Sequence, residues 1–159
     1  MSKVARELNA LQNQMEGGAP LPHQATDWAM RLFTLSHDTQ VDPSAVQKLL
    51  EHFLDSLPEW GLEDLPARTA EYAHRLATAP GELEYEELHK LFSLRDELHV
   101  LCELGMSIGS QAQSELDAAL RARFQAQKKA ASSVAQDRAE DWNRNLWWYA
   151  ERLNPRARK

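Results

Sequence analysis

The longest helical pattern in this sequence lies in its C-terminal third. Residues 110–154 contain neither glycine nor proline, and steps of three or four residues follow one face along the whole stretch. Gln127 and Arg138 are the polar positions on that face. Its apolar positions are Leu116, Leu120, Phe124, Ala131, Val134, Trp142, Leu146, Tyr149 and Leu153. This period predicts one long C-terminal helix.

A helical hairpin is the alternative. The stretch 128–133 is polar and rich in serine, and Ser133 with Gln136 has the spacing of a capping box that could start a second helix. The apolar positions on either side of the serines stay in phase, which favours one helix. Such a helix would be about 67 Å long, whereas a compact chain of this size is only about 40 Å across. We therefore expect its apolar face to need cover from a second chain.

Aromatic residues cluster at the end of this predicted helix. Trp142, Leu146 and Tyr149 share one face, while Trp147 and Trp148 point to opposite flanks. Packing against one side cannot bury both flanking indoles, so we predict that the cluster binds a protein partner or a second copy of the chain. The predicted partner-binding residues are Trp142, Leu146, Trp147, Trp148, Tyr149 and Leu153. Insertion into the protein's own core is the alternative interpretation.

The rest of the chain contains shorter helical patterns separated by glycine and proline. They predict five helices, at about residues 2–15, 23–37, 43–57, 66–77 and 82–108. Pro58 is expected to end the third, and no stretch alternates like a strand. The predicted fold is all-α, a bundle of about five shorter helices with a long C-terminal helix or hairpin. The acidic bundle would occupy residues 1–109, and the basic, aromatic residues 110–159 would join the same domain or project from it.

Charge is distributed unevenly along the chain. Residues 1–110 carry 8 Lys and Arg against 18 Asp and Glu, whereas residues 111–159 carry 10 against 6. The basic end could lie against the acidic body of its own or a neighbouring chain. Binding to nucleic acid or an anionic membrane is the alternative, but the basic excess is too small for us to expect a nucleic-acid partner. That alternative would use Arg121, Arg123, Lys128 and Lys129.

Composition also bears on location. No apolar run approaches the roughly 20 residues of a membrane-spanning helix, and the first residues do not have the pattern of a signal peptide. Cys102 is the only cysteine, which fits a reducing compartment. We therefore expect a cytoplasmic protein that has no transmembrane segment and makes at most weak contact with a membrane surface.

Two pairs of residues have the spacing of a metal site, and Asp96 with His99 is a variant of the same pattern. Glu71 with His74, and Glu86 with His89, are three residues apart, so each pair can present both side chains on one helix face. Two such pairs occur in the di-iron centres of helical bundles. Local ion pairing on an exposed helix face explains the same spacing. We keep metal binding as an alternative and predict no cofactor.

No motif in the sequence frames a nucleophile or a phosphate-binding loop, so we predict no catalytic residues. The sequence favours a non-enzymatic, cytoplasmic, helical interaction module, that is, an adaptor, a regulator or an assembly factor. It would associate through its C-terminal helix. The alternatives are a metal-binding bundle that uses the Glu-x-x-His pairs and a basic arm that binds nucleic acid or an anionic membrane.

Overall fold

The structure, a computed structural model, describes residues 3–138 and 146–149. Within these ranges the chain forms α-helices and their connections, with no β-strand, which confirms the predicted all-α class. The chain divides into two compact units. Unit 1 comprises Met1–Arg68 and Glu97–Ser107, and unit 2 comprises Thr69–Asp96 and Ile108–Lys159. Trp142 and Leu153, which we predicted to contact a partner, lie outside the described residues.

Unit 1 is built around three helices that pack on one another: α1 (Lys3–Glu16), α2 (Pro22–Ser36) and α3 (Pro43–Trp60). Their apolar stripes meet in a buried core that includes Leu11, Met15, Leu32, Leu49 and Phe53. The ring of Trp60 lies edge-on to the rings of Trp28 and Phe53, with centroids 5.6 and 6.0 Å away. The amphipathic patterns of these three helices are therefore satisfied inside unit 1.

α3 begins as the sequence predicts but ends later. Asp42 Oδ1 accepts a hydrogen bond from the Ser44 backbone N–H at 3.1 Å, and Pro43 takes the first helical position. The expectation that Pro58 ends the helix is wrong, because α3 continues to Trp60. It ends at Gly61, whose φ of 70° few other residues adopt.

Unit 2 contains α6 (Ser110–Ala126), α7 (Lys128–Arg138) and a helical turn at residues 147–149. It also takes residues 69–77 of α4 (Leu65–Ala77) and residues 85–96 of α5 (Tyr85–Glu103). Its buried side chains include Leu88, Leu91, Phe92, Leu116, Leu120, Phe124, Val134, Trp148 and Tyr149.

α5 is shorter than its apolar pattern predicts. The backbone N–H of Glu84 donates to Glu87 Oε1 at 2.9 Å. Glu84 therefore occupies the cap position just before α5 rather than a position inside the helix. At the other end Gly105 has a φ of 115°, and Met106 N–H donates to the Leu101 carbonyl at 3.0 Å. This left-handed turn ends α5 before the predicted boundary near residue 108.

The C-terminal stretch does not form the single long helix that we expected. α6 ends at Ala126 and α7 begins at Lys128, with Gln127 between them at φ −123° and ψ 42°. The side-chain amide of Gln127 accepts from the Leu83 N–H and donates to the Leu83 carbonyl, both at 2.9 Å. The polar residue in the apolar stripe therefore marks the break, which lies one residue before the stretch 128–133 that the hairpin alternative uses.

Replacing Gln127 should destabilise the protein measurably. Gln127→Ala removes both bonds to Leu83, so we expect the free energy of unfolding to fall by about 1–3 kcal/mol. Urea denaturation followed by circular dichroism measures this loss. Gln136→Ala, at an exposed position of α7, is the matched control and should change stability by no more than about 0.5 kcal/mol. Equal stabilities of the two variants would contradict a structural role for Gln127.

Candidate functional site around Asp96

Asp96 is the most deeply buried carboxylate in the described part of the chain, with only 1% of its surface exposed. Its Oδ1 accepts a hydrogen bond from Trp148 Nε1 at 2.8 Å. Its Oδ2 accepts from the Tyr149 hydroxyl at 2.6 Å and from Arg138 Nη2 at 2.7 Å. Both carboxylate oxygens are therefore occupied, as a buried charge requires.

The donors to Asp96 come from the C-terminal end of unit 2. Arg138 is the last residue of α7, and Trp148 and Tyr149 are neighbours in the turn at residues 147–149. Arg138 Nε also donates to the Tyr149 hydroxyl at 3.0 Å, and its Nη1 lies 3.1 Å from His89 Nδ1. Arg138, the second polar position in the apolar stripe, is thus the cation that pairs with the buried carboxylate.

Rings and a second ion pair enclose these polar contacts. Phe92, one helical turn before Asp96 on α5, stacks on Phe124 at 4.7 Å between centroids and lies 5.4 Å from Tyr149. The Arg95 guanidinium lies 4.2 Å from the centre of the Trp148 ring, and its Nε donates to Asp117 Oδ1 at 2.9 Å. Trp148 is consequently only 2% exposed, and Tyr149 is fully buried.

Burial dominates the electrostatics of this cluster. It raises the pKa of the Asp96 carboxyl, and the bonds from Tyr149, Arg138 and Trp148 offset only part of the effect. Burial also acts to lower the pKa of Arg138, but the bonds to Tyr149 and Asp96 outweigh it, so that pKa is raised. Burial and then the charge of Asp96 raise the pKa of the Tyr149 hydroxyl. Arg138 and Tyr149 therefore keep their protons, and act as donors, at neutral pH.

The raised pKa of Asp96 predicts a pH dependence of stability. The folded protein holds the Asp96 proton more tightly than the unfolded chain, in which an aspartate has a pKa of about 3.9. The stabilisation from that proton is complete below the unfolded pKa and is lost as the pH rises through the folded pKa. We expect the free energy of unfolding of the wild type, minus that of Asp96→Asn, to decrease between acidic and neutral pH. A difference that increases with pH would contradict the assignment.

The predicted partner-binding residues divide into two groups. Trp148 and Tyr149 are buried in unit 2, whereas Leu146 and Trp147 are half-buried. The Arg121 guanidinium lies 4.1 Å from the centre of the Trp147 ring, and the Phe124 ring lies 6.4 Å from it. Packing within unit 2 thus buries one of the two flanking indoles fully and the other only in part. That these residues bind a partner stays a prediction.

The four residues predicted to bind a polyanion differ from one another in their contacts. Arg123 donates to the backbone carbonyl of Ala77, the last residue of α4, at 2.8 Å. It also donates to the carbonyls of Ala79 and, at 2.6 Å, Gly81 in the connection to α5. The Arg123 guanidinium thus holds the end of α4 and this connection in place. Arg121 covers Trp147, and Lys128 and Lys129 are exposed. The described contacts therefore do not assemble these four cations into one site.

The proposed metal ligands make other contacts. Glu71 Oε1 accepts from Arg75 Nη2 at 2.7 Å, which is the local ion pair that we considered as the alternative. His89 contacts Arg138. His74 and Glu86 are exposed. Across residues 3–138 and 146–149, no three His, Cys, Asp or Glu side chains form a group that could hold a metal ion. The metal alternative has no geometric support in these residues.

Sequence reasoning did not identify Arg95 as a site residue, and it considered Asp96 only as a variant metal ligand. A signal for Asp96 exists, since it stands between Leu94 and Leu98 in the apolar pattern of α5. A carboxylate among buried leucines needs a donor, but the sequence does not reveal that the donors lie 42 to 53 residues further along the chain.

Comparison with known proteins adds no functional assignment. No protein-family model, no curated protein and no solved structure matches the chain. None of the described helices is long and apolar enough to cross a membrane.

Proposed function

We propose that this protein is a non-enzymatic helical interaction module that works in the cytoplasm and binds a protein partner through its C-terminal aromatic residues. We call residues 146–149 the aromatic turn. The supporting observation is that two of its residues are buried and two are only half-buried. Trp148 and Tyr149 fix the turn to the buried carboxylate of Asp96. Leu146 and Trp147 remain half-buried and so keep surface for a partner.

The residue types on the accessible side of the aromatic turn suit protein recognition. Trp147 and Arg121 lie in contact, and tryptophan and arginine are the residue types that most often dominate the energy of protein interfaces. Because Phe124 and Arg121 hold the Trp147 ring in place, little conformational entropy is lost when a partner covers it.

The hydrogen-bonding state of Asp96 supports a non-enzymatic role. A general base needs a lone pair within reach of a substrate proton. Both oxygens of Asp96 already accept bonds from Trp148, Tyr149 and Arg138, and the carboxylate is buried. This cluster therefore supports attachment of the aromatic turn rather than proton transfer.

Site-specific crosslinking tests the proposal. A photoreactive phenylalanine derivative replaces Trp147 in the full chain, and in a matched control it replaces Tyr72, an aromatic residue of α4 that is 52% exposed. After irradiation in the native cells we expect a discrete crosslinked protein from position 147 and none from position 72. Mass spectrometry then identifies the partner.

An unchanged thermal unfolding curve must first show that each substituted protein folds. The proposal fails if position 147 gives no protein adduct, or if both positions give the same products.

A further inference from the structure

Two clusters of opposite charge are exposed on unit 2. The acidic cluster, at the start of α5, consists of Glu82, Glu84, Glu86 and Glu87. The basic pair, at the start of α7, consists of Lys128 and Lys129. None of these positions belongs to the aromatic turn.

The contact between Gln127 and Leu83 places the two clusters side by side. Leu83 lies between Glu82 and Glu84, and Gln127 directly precedes Lys128. The Gln127 amide bonds both backbone groups of Leu83 at 2.9 Å. The acidic and basic residues therefore border one shared junction, which we call the charged junction.

The charges at this junction are not neutralised by close pairing. In the described part of unit 2, neither Lys128 nor Lys129 lies within 4.0 Å of a carboxylate, and the four glutamates make no ion pair with a described basic side chain. Tyr85, which is 44% exposed, lies within the acidic cluster and adds an aromatic ring, and its hydroxyl donates to the Asp137 carboxylate of α7. The junction thus offers an acidic half, a basic half and an exposed aromatic ring.

A surface with adjacent acidic and basic halves is complementary to itself. Rotation by 180° about an axis between the halves sets the acidic half of one copy on the basic half of the other, and the reverse contact forms at the same time. Matching potentials of this kind select a partner and align it.

We propose that the charged junction binds a second copy of this chain and forms a two-fold dimer. In this dimer the glutamates around Leu83 in each copy face Lys128 and Lys129 of the other. The inference goes beyond the partner proposed for the aromatic turn, because it concerns different residues and a different test.

Salt dependence of self-association is the first test. The Debye length falls from about 30 Å at 0.01 M salt to about 3 Å at 1 M. Analytical ultracentrifugation of the full chain should therefore show a dimer at low salt, with a dissociation constant that rises by about tenfold or more at high salt. A monomer at low salt, or a dimer indifferent to salt, overturns the proposal.

Charge reversal is the second test. Glu82→Lys with Glu84→Lys leaves only Glu86 and Glu87 as acidic residues in the acidic half, which then has no net charge. Lys128→Glu with Lys129→Glu makes the whole junction acidic. Neither double variant should dimerise alone, because the first loses the attraction between the two halves and the second sets like charges against each other. An equimolar mixture of the two should form a heterodimer.

The control is Glu59→Lys with Glu63→Lys, at two exposed positions of unit 1. It changes the net charge from −6 to −2, as the variant at residues 82 and 84 does, and should dimerise like the wild type. If the mixture stays monomeric, or if the control loses the dimer as well, the charged junction is not the interface. Crosslinking from position 147 does not depend on this result, so each proposal can fail alone.

Discussion

Asp96→Ala should lower the free energy of unfolding by about 3–5 kcal/mol, the usual loss when one partner of a buried ion pair is removed. The substitution leaves three donors without their acceptor: Arg138 Nη2, Trp148 Nε1 and the Tyr149 hydroxyl. Arg138 would also keep a partly buried positive charge without its carboxylate. Since a domain is stable by only about 5–15 kcal/mol, the variant should unfold at a clearly lower urea concentration.

An exposed aspartate provides the comparison for this variant. Asp55 lies on the solvent side of α3, and Asp55→Ala should change stability by no more than about 0.5 kcal/mol. If Asp96→Ala were as stable as Asp55→Ala, the buried carboxylate would not hold the aromatic turn.

Trp148→Ala should produce a loss of similar size, about 3–5 kcal/mol, because it removes a large buried ring and leaves a cavity. It also removes the donor to Asp96 Oδ1 and the ring under the Arg95 guanidinium. Trp148→Phe keeps most of the apolar volume but loses the indole N–H. We therefore expect it to cost about 1–3 kcal/mol, the penalty of leaving a buried acceptor without a donor.

Trp147→Ala is the matched control, since the two tryptophans are adjacent in sequence but differ in burial. Because Trp147 is half-buried, its removal should cost less than half as much as the removal of Trp148, as urea denaturation would show. A greater loss from Trp147→Ala would mean that the assignment of the two indoles to interior and surface is reversed.

The helices of unit 1 were largely predictable because their signals are local. Asp42 followed by Pro43 marks the start of α3, and the structure confirms this start. The end of α3 was misjudged because a proline in the last turn is compatible with the helix, while Gly61 provides the actual stop. Each of these features involves residues close in sequence.

The pattern of the C-terminal stretch allowed a break near residues 128–133 but did not predict its position at Gln127. The apolar face continues in phase across Gln127, and that residue is not a helix breaker. The break coincides with its bonds to Leu83, 44 residues away. A helical period indicates which face of a helix is apolar, but it does not indicate where a side chain will bond a distant backbone group.

The candidate site was predicted only in part, for the same reason. The cluster of aromatic residues near the C-terminus pointed to the correct region, and the polar positions Gln127 and Arg138 were visible as interruptions of the stripe. Their partners, Leu83 and Asp96, lie in segments whose proximity depends on the packing of unit 2. The sequence therefore indicated which residues were unusual, but not what they bind.

The attachment of the aromatic turn to Asp96 is tested most directly by hydrogen exchange of the tryptophan indole protons, measured by NMR on the full chain. The Trp148 indole proton, bonded to a buried carboxylate, should exchange with solvent much more slowly than that of Trp147. In Asp96→Ala, which has no side-chain acceptor, this protection should be lost while the helices of unit 1 stay folded. Rapid exchange of the Trp148 proton in the wild type, at the rate of an exposed indole, would contradict the attachment.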